Sequence, residues 1–177
     1  MDYASAPRMV VVGIGNVIRS DDGLGVRAMQ RLERDSRVPA GVSFLDGGTL
    51  GIELVSYVSD SSHLLLLDAI DRRERPGTLF RMANDELRGL PCAASVHQVG
   101  LADLLATLPL VSSAPREIVL LGVQPLSTDW GTQLSAPVEA ALDPLVEAAV
   151  EQLVSWSERA MTGAVASAVS ANGDSGS

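Results

Sequence analysis

The segment 9-MVVVGIGNVIRSDDGLGVRAM-29 decides the fold, because it is typical of a buried strand, a glycine turn and a helix in direct succession. Met9–Gly13 is an almost continuous apolar run, as expected for a strand that is buried on both faces of a parallel sheet. Residues 24–34 repeat apolar side chains at helical spacing, which predicts an amphipathic helix. A strand that leads through a tight turn into a helix indicates an α/β protein.

The rest of the chain continues this alternation of apolar strands and amphipathic helices. Further strands are predicted at Val42–Asp46, Leu64–Asp68, 78–82 and Ile118–Val123, the third of these at a sheet edge, and further helices at 51–59, 98–108 and Pro137–Trp156. Pro144 lies inside the last helix and is expected to kink or interrupt it. We therefore predict a single α/β domain with a doubly wound, mostly parallel sheet and helices on both faces.

The domain is expected to span residues 9–160, between two segments that lack its pattern. Residues 1–8 are predicted to be an N-terminal extension. Residues 161–177 are rich in small and polar side chains, which predicts a disordered tail.

Composition argues against several classes of function. The formal net charge is −9, and the arginines form no basic stripe, so nucleic acid is not an expected partner. The longest apolar runs, such as 64–70, are too short to span a bilayer, and the N-terminus lacks the pattern of a signal peptide. A cytoplasmic protein with no membrane partner is expected. Cys92 is the only cysteine, which excludes an internal disulfide and a cysteine-rich metal site.

The first loop resembles a dinucleotide-binding turn but departs from it in two ways. Gly13 and Gly15 fit the glycine fingerprint, and Asp46 lies where a ribose-binding acid could be, yet Ile18 occupies the third glycine position. Two adjacent aspartates also precede the helix, where they would repel a pyrophosphate. Nucleotide binding is therefore disfavoured.

Polar side chains gather where the predicted parallel strands end, which is where open α/β sheets bind ligands. These residues are Asn16, Asp21, Asp22, Asp46, Asp68, Asp71 and His97, whereas His63 starts a strand at the opposite edge. Asp22, Asp68 and His97 can converge there, and two carboxylates with one imidazole suit a divalent transition metal.

Structural interpretations of the same residues remain open. Asp21 or Asp22 could cap a helix, and Asp46 could hold the glycine turn that follows it. A single histidine such as His97 is more often structural than a metal ligand. Three ligands from three loops leave no local signature in the sequence.

Several motifs, taken together and in this order, resemble the hydrogenase maturation proteases. They are 13-GIGNVIRSDDGLG-25, 46-DGGTLGIEL-54, 68-DAID-71 with 76-PGT-78, 97-HQVGLADLL-105 and 122-GVQP-125. The resemblance implies an α/β sandwich with a twisted five-stranded sheet. It also implies an endopeptidase that removes the C-terminal extension of a NiFe-hydrogenase large-subunit precursor once nickel has been inserted. The metal-contacting residues of the family match Asp22, Asp68 and His97, and the first position, Glu or Asp in the family, is Asp here.

The resemblance leads to a mechanistic hypothesis in which the precursor supplies the nickel. Asp22, Asp68 and His97 would bind that nickel, and other divalent cations are expected to compete for the same ligands. Nickel would polarise the scissile carbonyl or lower the pKa of a bound water. No Ser–His–Asp arrangement is evident and Cys92 has no evident activating partner, so a covalent nucleophile is disfavoured.

The general base is not identified by the sequence. Asp46, Asp21 and Asp71 are candidates, and Asp46 is preferred because it begins the Asp-Gly-Gly turn beside the predicted site. Gly47 and Gly48 of that turn are predicted to contact the substrate.

Other classes of function stay open at this point. They are a nickel-binding chaperone, a nucleotide-binding α/β module without peptidase activity, and a metal-dependent hydrolase of another substrate. The sequence identifies neither the partner hydrogenase nor the oligomeric state.

Overall fold

The computed structural model describes residues 8–89, 96–111 and 114–172, with the backbone alone for 88, 89, 96–99 and 163–172. Its centre is a five-stranded sheet with the order β2-β1-β3-β5-β4. The strands are β1 (Met9–Ile14), β2 (Ser43–Gly48), β3 (His63–Ala69), β4 (Leu79–Ala83) and β5 (Glu117–Val123). All neighbouring pairs are parallel except β4 with β5, so β4 is an antiparallel edge strand. The predicted α/β class and mostly parallel sheet are confirmed.

Helices cover both faces of this sheet. They are α1 (Leu24–Leu32), α2 (Val55–Val58), α3 (Val96–Thr107) and α4 (Ala136–Asn172). One core cluster joins α1 and α4 to one face, and a second joins α2 and α3 to the other. None of the described helices is long and apolar enough to cross a membrane.

Strand β3 shows why the central strands are apolar throughout. Leu65 and Leu67 pack in the cluster with α1 and α4, whereas Leu64 and Leu66 pack in the cluster with α2 and α3. Because successive side chains point to opposite faces, a strand covered on both sides needs apolar residues at every position. Asp68 is two positions after Leu66, so its side chain points to the same face of the sheet, toward α2 and α3.

Two helical segments differ from the sequence prediction. The predicted helix at 51–59 is a 3-10 turn, Ile52–Leu54, followed by the four-residue α2. Helix α4 is not interrupted at Pro144, because core residues on either side of the proline, such as Leu142 and Leu145, hold both flanks against the sheet.

Helix α4 also continues to Asn172, into the segment predicted to be disordered. Alanine recurs in that segment, and it has the highest intrinsic helix propensity. The prediction relied on small side chains as a sign of disorder and overlooked this preference. Residues 1–7 and 173–177 lie outside the described part of the chain, and the domain boundaries there stay predictions.

Candidate active site

Asp68 lies at the carboxyl end of β3 and is fully buried. Its Oδ1 accepts the backbone N–H of Ala69 at 2.7 Å. Burial first, and the charge of Asp22 second, raise the pKa of Asp68 well above its ordinary value, while the Ala69 N–H acts in the opposite direction. The two carboxylates are therefore close enough to interact in a region from which water is largely excluded.

Asp22 reaches this position through a tightly folded loop after β1. It belongs to the 3-10 turn Ser20–Gly23, and its Oδ2 accepts the backbone N–H of Asn16 at 3.0 Å. Gly15 has φ +118°, and a Cβ there would lie 1.8 Å from the carbonyl oxygen of Asp22. Only glycine allows the loop to close this far, so the Gly-x-Gly turn serves to bring a carboxylate over the sheet.

Helix α1 starts directly above the ends of two strands. A Cβ on Gly25 would lie 2.4 Å from the carbonyl oxygen of Ile14 in β1 and 2.1 Å from that of Leu67 in β3. This close approach sets the 3-10 turn, and Asp22 with it, against the end of β3.

The third predicted ligand, His97, lies in the first turn of α3. Three residues further on, Gly100 packs against Gly51 in the loop after β2, where a Cβ on Gly51 would lie 2.6 Å from the Gly100 Cα. The start of α3 is thereby held near the carboxyl ends of the strands. The side chain of His97 lies outside the described part of the structure, so its contact with a metal stays a prediction.

The acidic pair, defined as Asp22 and Asp68, has the donor chemistry of a divalent-cation site. Two buried carboxylates repel each other, and a cation between them would offset both the repulsion and the cost of burial. Among the described side chains, no group of three or more His, Cys, Asp or Glu residues is arranged to hold a metal ion. A complete site therefore needs a further ligand, either His97 or a group from a bound partner.

Asp21 has a different role from its neighbour. It is fully buried, and its carboxylate accepts four hydrogen bonds, from the backbone N–H groups of Leu126, Ser127 and Ser135 and from the Ser135 hydroxyl. Neither Asp21 nor Asp22 caps α1, whose N-cap residue is Gly23. Asp21 instead fastens the loop after β5, residues 124–135, to the loop after β1.

Asp46 is not brought to the acidic pair. Along β2, Phe44 packs toward α1 and α4 and Leu45 packs toward α2 and α3, so Asp46 points to the α1 side, away from the face that Asp68 occupies. Its side chain is exposed, and its Oδ1 accepts the Gly48 N–H at 3.0 Å. This bond holds the glycine turn, which is the structural interpretation of Asp46 given above. The geometry gives no support to Asp46 as the general base.

The glycines after Asp46 are required by the turn itself. Gly48 has φ +46°, and its carbonyl oxygen accepts the N–H of Gly15 at 2.8 Å. A Cβ on Gly47 would lie 2.7 Å from the Val12 Cγ1. Both residues thus shape the backbone beside the first loop, and their contact with a substrate stays a prediction.

Asp71, the remaining candidate base, is engaged in the loop after β3. Hydrogen bonds from the Gln124 amide and from the Arg73 N–H lower the pKa of Asp71, which makes it a weaker base. The Gln124 Oε1 also accepts the N–H groups of Arg72 and Glu74, so this buried amide shapes the whole loop.

Sequence reasoning missed the roles of Asp21 and Gln124. A polar residue directly after a buried strand, as in 122-GVQP-125, was the available signal for Gln124. The family resemblance matched Asp22 to a metal-contacting residue, but no signal indicated the anchoring role of Asp21, because the donors that surround it are more than one hundred positions away. The prediction that His63 lies at the opposite edge is confirmed, since His63 begins β3; its ring lies tilted against that of Trp156, with centroids 4.9 Å apart.

Comparisons with known proteins agree with this geometry. Residues 26–152 match the family model described as hydrogenase maturation protease. The hydrogenase expression/formation protein HoxM of Azotobacter vinelandii is 41% identical over 152 residues, which cover 84% of this chain and 73% of that protein. The hydrogenase 2 maturation protease of Escherichia coli is 37% identical over 142 residues, covering 79% of this chain and 87% of that protein. The structure of the hydrogenase maturating endopeptidase HybD from E. coli matches with a TM-score of 0.79 at 35% identity, covering 84% of this chain and 93% of that one.

Proposed function

This chain belongs to the hydrogenase maturation protease family, and we propose that it is the endopeptidase that removes the C-terminal extension of a NiFe-hydrogenase large-subunit precursor. The observation that carries the proposal is the acidic pair, two buried carboxylates held together at the carboxyl ends of the strands. Placing like charges together in a buried position destabilises a fold, and such arrangements concentrate at functional sites.

The nickel is part of the substrate in this proposal. The precursor would present it to Asp22 and Asp68, with His97 as the third ligand from this chain. Oxygen and imidazole donors suit nickel, and nickel held there would polarise the scissile carbonyl or lower the pKa of a bound water. A precursor without nickel would lack the cation that the two carboxylates need, which explains how the enzyme distinguishes loaded from unloaded substrate.

The protein's own contribution is to hold the ligands in place before the substrate arrives. The Asn16 N–H orients the Asp22 carboxylate and the Ala69 N–H orients that of Asp68. Because the loop glycines and the start of α1 are closely packed against the strands, little further ordering is needed when nickel binds. We do not include Asp46, Asp21 or Asp71 as the base, since each is turned away or engaged elsewhere.

The direct test is cleavage of the purified precursor, followed by mass spectrometry, with and without nickel. We expect the loaded precursor to lose its C-terminal extension and the unloaded one to stay intact. Asp22→Ala, Asp68→Ala and His97→Ala should each lower the rate by at least about 10²-fold, the range in which positioned side chains contribute to catalysis.

Asp60→Ala is the matched control, because Asp60 is an exposed carboxylate at the other end of the sheet that pairs with Arg8 at 3.7 Å. It should cleave at the wild-type rate. Full activity in Asp22→Ala or Asp68→Ala would refute the metal-ligand role of that residue.

The same experiment separates the alternatives. A nickel-binding chaperone would bind the precursor and release it at full length. A nucleotide-binding module would gain thermal stability from NAD or ATP, which a peptidase of this kind would not.

A further inference from the structure

Exposed hydrophobic side chains are unevenly distributed over this molecule. Among the described residues, nine large hydrophobic side chains are exposed, and six of them lie in loops that follow the carboxyl ends of β1, β2 and β5. These six are Val17, Ile18, Leu50, Ile52, Leu126 and Trp130. The acidic pair lies at the same end of the sheet, so most of the exposed large hydrophobic side chains among the described residues lie at the end that carries the candidate site.

Four of the six lie on two loops that are joined to each other. We name Val17, Ile18, Leu126 and Trp130 the apolar rim. The Ile18 carbonyl oxygen accepts the Gly131 N–H at 3.0 Å, and the Ser20 N–H donates to the Gly131 carbonyl oxygen at 2.8 Å. These bonds set Trp130, the neighbour of Gly131, beside the loop that carries Ile18.

The Trp130 side chain is 74% exposed but has one contact that favours its observed orientation. The Arg19 guanidinium lies over its ring, 5.1 Å from the ring centroid, and the Arg19 Nε donates to the Thr128 carbonyl oxygen at 2.8 Å. A large aromatic side chain that is already oriented loses little entropy on binding, and tryptophan is enriched at the centres of protein interfaces.

The loop beneath the apolar rim is also anchored in the interior. The buried carboxylate of Asp21 accepts the N–H groups of Leu126 and Ser127 at 2.9 and 3.0 Å. These hydrogen bonds to a fully buried carboxylate fix the position of the loop.

We propose that the apolar rim is a preformed docking surface for the large-subunit precursor, which places apolar side chains of that subunit on Trp130 and its neighbours. The inference rests on the proposed function and adds to it a means of binding that does not depend on nickel. Asp22 is four residues from Ile18 in the same loop, so a protein seated on the rim brings its adjoining segment to the acidic pair.

The alternative occupant, a second copy of this chain, is disfavoured by charge. Each copy has a formal net charge of −9, which opposes self-association.

Trp130 provides a direct measurement of docking. The chain has two tryptophans, and Trp156 is fully buried, so quenching of the fluorescence by acrylamide reports on Trp130. We expect nickel-free large-subunit precursor, which is not cleaved, to protect Trp130 from acrylamide. Trp130→Phe serves as the control that shows the remaining signal of Trp156.

Cleavage kinetics with nickel-loaded precursor provide the second test. Trp130→Ser and Leu126→Ser should raise KM by about tenfold, the usual effect of losing an interface anchor, with kcat within about twofold of wild type. Leu110→Ser and Met161→Ser are matched controls, since these exposed hydrophobic residues lie away from the rim, and they should leave KM unchanged.

Each result supports or overturns the docking proposal. Rim variants that behave like the two controls, or unchanged quenching with precursor, would overturn it. Protection of Trp130 that rises with the enzyme's own concentration would assign the rim to self-association instead. If wild type cleaves no precursor yet Trp130 is protected, the proposed function fails while docking stands.

Discussion

Asp21 and Asp22 are adjacent and both buried, but they lie in opposite electrostatic surroundings. Asp21 is 0% exposed and accepts four hydrogen bonds from one loop. Asp22 is 4% exposed, accepts the Asn16 N–H and lies beside a second carboxylate, Asp68. The first environment stabilises a negative charge, whereas in the second the charge of Asp22 helps to raise the pKa of Asp68.

This difference distinguishes a structural charge from a functional one. A carboxylate surrounded by donors makes the fold more stable and needs nothing else. A buried carboxylate beside another one raises the electrostatic cost of the native state, and in our proposal a bound cation offsets that cost. Four stability measurements test this difference between the two aspartates.

The largest effect is expected from Asp21→Ala. Removing this acceptor takes away the partner of the partly buried N–H groups of Leu126, Ser127 and Ser135, so the free energy of unfolding should fall by about 3 kcal/mol. Asp22→Ala should lower it far less, as measured by urea unfolding with circular dichroism. Equal losses of unfolding free energy in the two variants would contradict the difference inferred between Asp21 and Asp22.

A smaller effect of opposite sign is expected from Asp68→Asn. The amide keeps an acceptor for the Ala69 N–H but removes a buried charge beside Asp22, so stability at pH 7 should rise by about 1 kcal/mol while cleavage is lost. Urea unfolding of the metal-free protein gives the value. Asp46→Asn, which changes an exposed carboxylate, should leave stability unchanged.

The same variant should change the pH dependence of stability. Because folding raises the pKa of Asp68 above 3.8, the native state holds this proton more tightly than the unfolded chain does. The stability that this carboxyl contributes is therefore present at low pH and falls as the pH rises through its native pKa. Asp68→Asn should remove that fall, and an unchanged slope between acidic and neutral pH would contradict the assignment.

The smallest effect is expected at Asp35, which has donors but is only partly buried. Hydrogen bonds from Arg37 lower the pKa of Asp35 to about 2, and 17% of its side chain is exposed. Its contribution is present above pH 3.8 and lost as the pH falls through about 2. Asp35→Asn should therefore leave the melting temperature near neutral pH almost unchanged. A loss as large as that of Asp21→Ala would show that burial is not what gives Asp21 its effect.

Much of the fold could be predicted because the relevant signals are local. The apolar runs of β1, β3 and β5 fill both faces of the sheet, and β4 lies at the sheet edge, as predicted for residues 78–82. The uninterrupted α4 could not be predicted, because tertiary packing outweighs the local cost of Pro144.

Part of the candidate site could also be predicted from the sequence. Parallel strands place their ends at one edge, so Asp22 and Asp68 could be expected there from their positions alone. The orientation of Asp46 could not be predicted, because the face of the sheet to which each β2 side chain points follows from the register of β2 with β1. The ligand role of His97 stays a prediction.

Local patterns in the sequence specify which residues become strands, where the loops lie and which carboxylates follow the strand ends, because hydrophobic period and turn residues act over short distances. Folding specifies which of two adjacent aspartates is surrounded by donors and which lies beside another carboxylate. The electrostatic surroundings of a side chain come from groups in distant parts of the chain. For Asp21 and Asp22 those groups are Ser135 and Asp68.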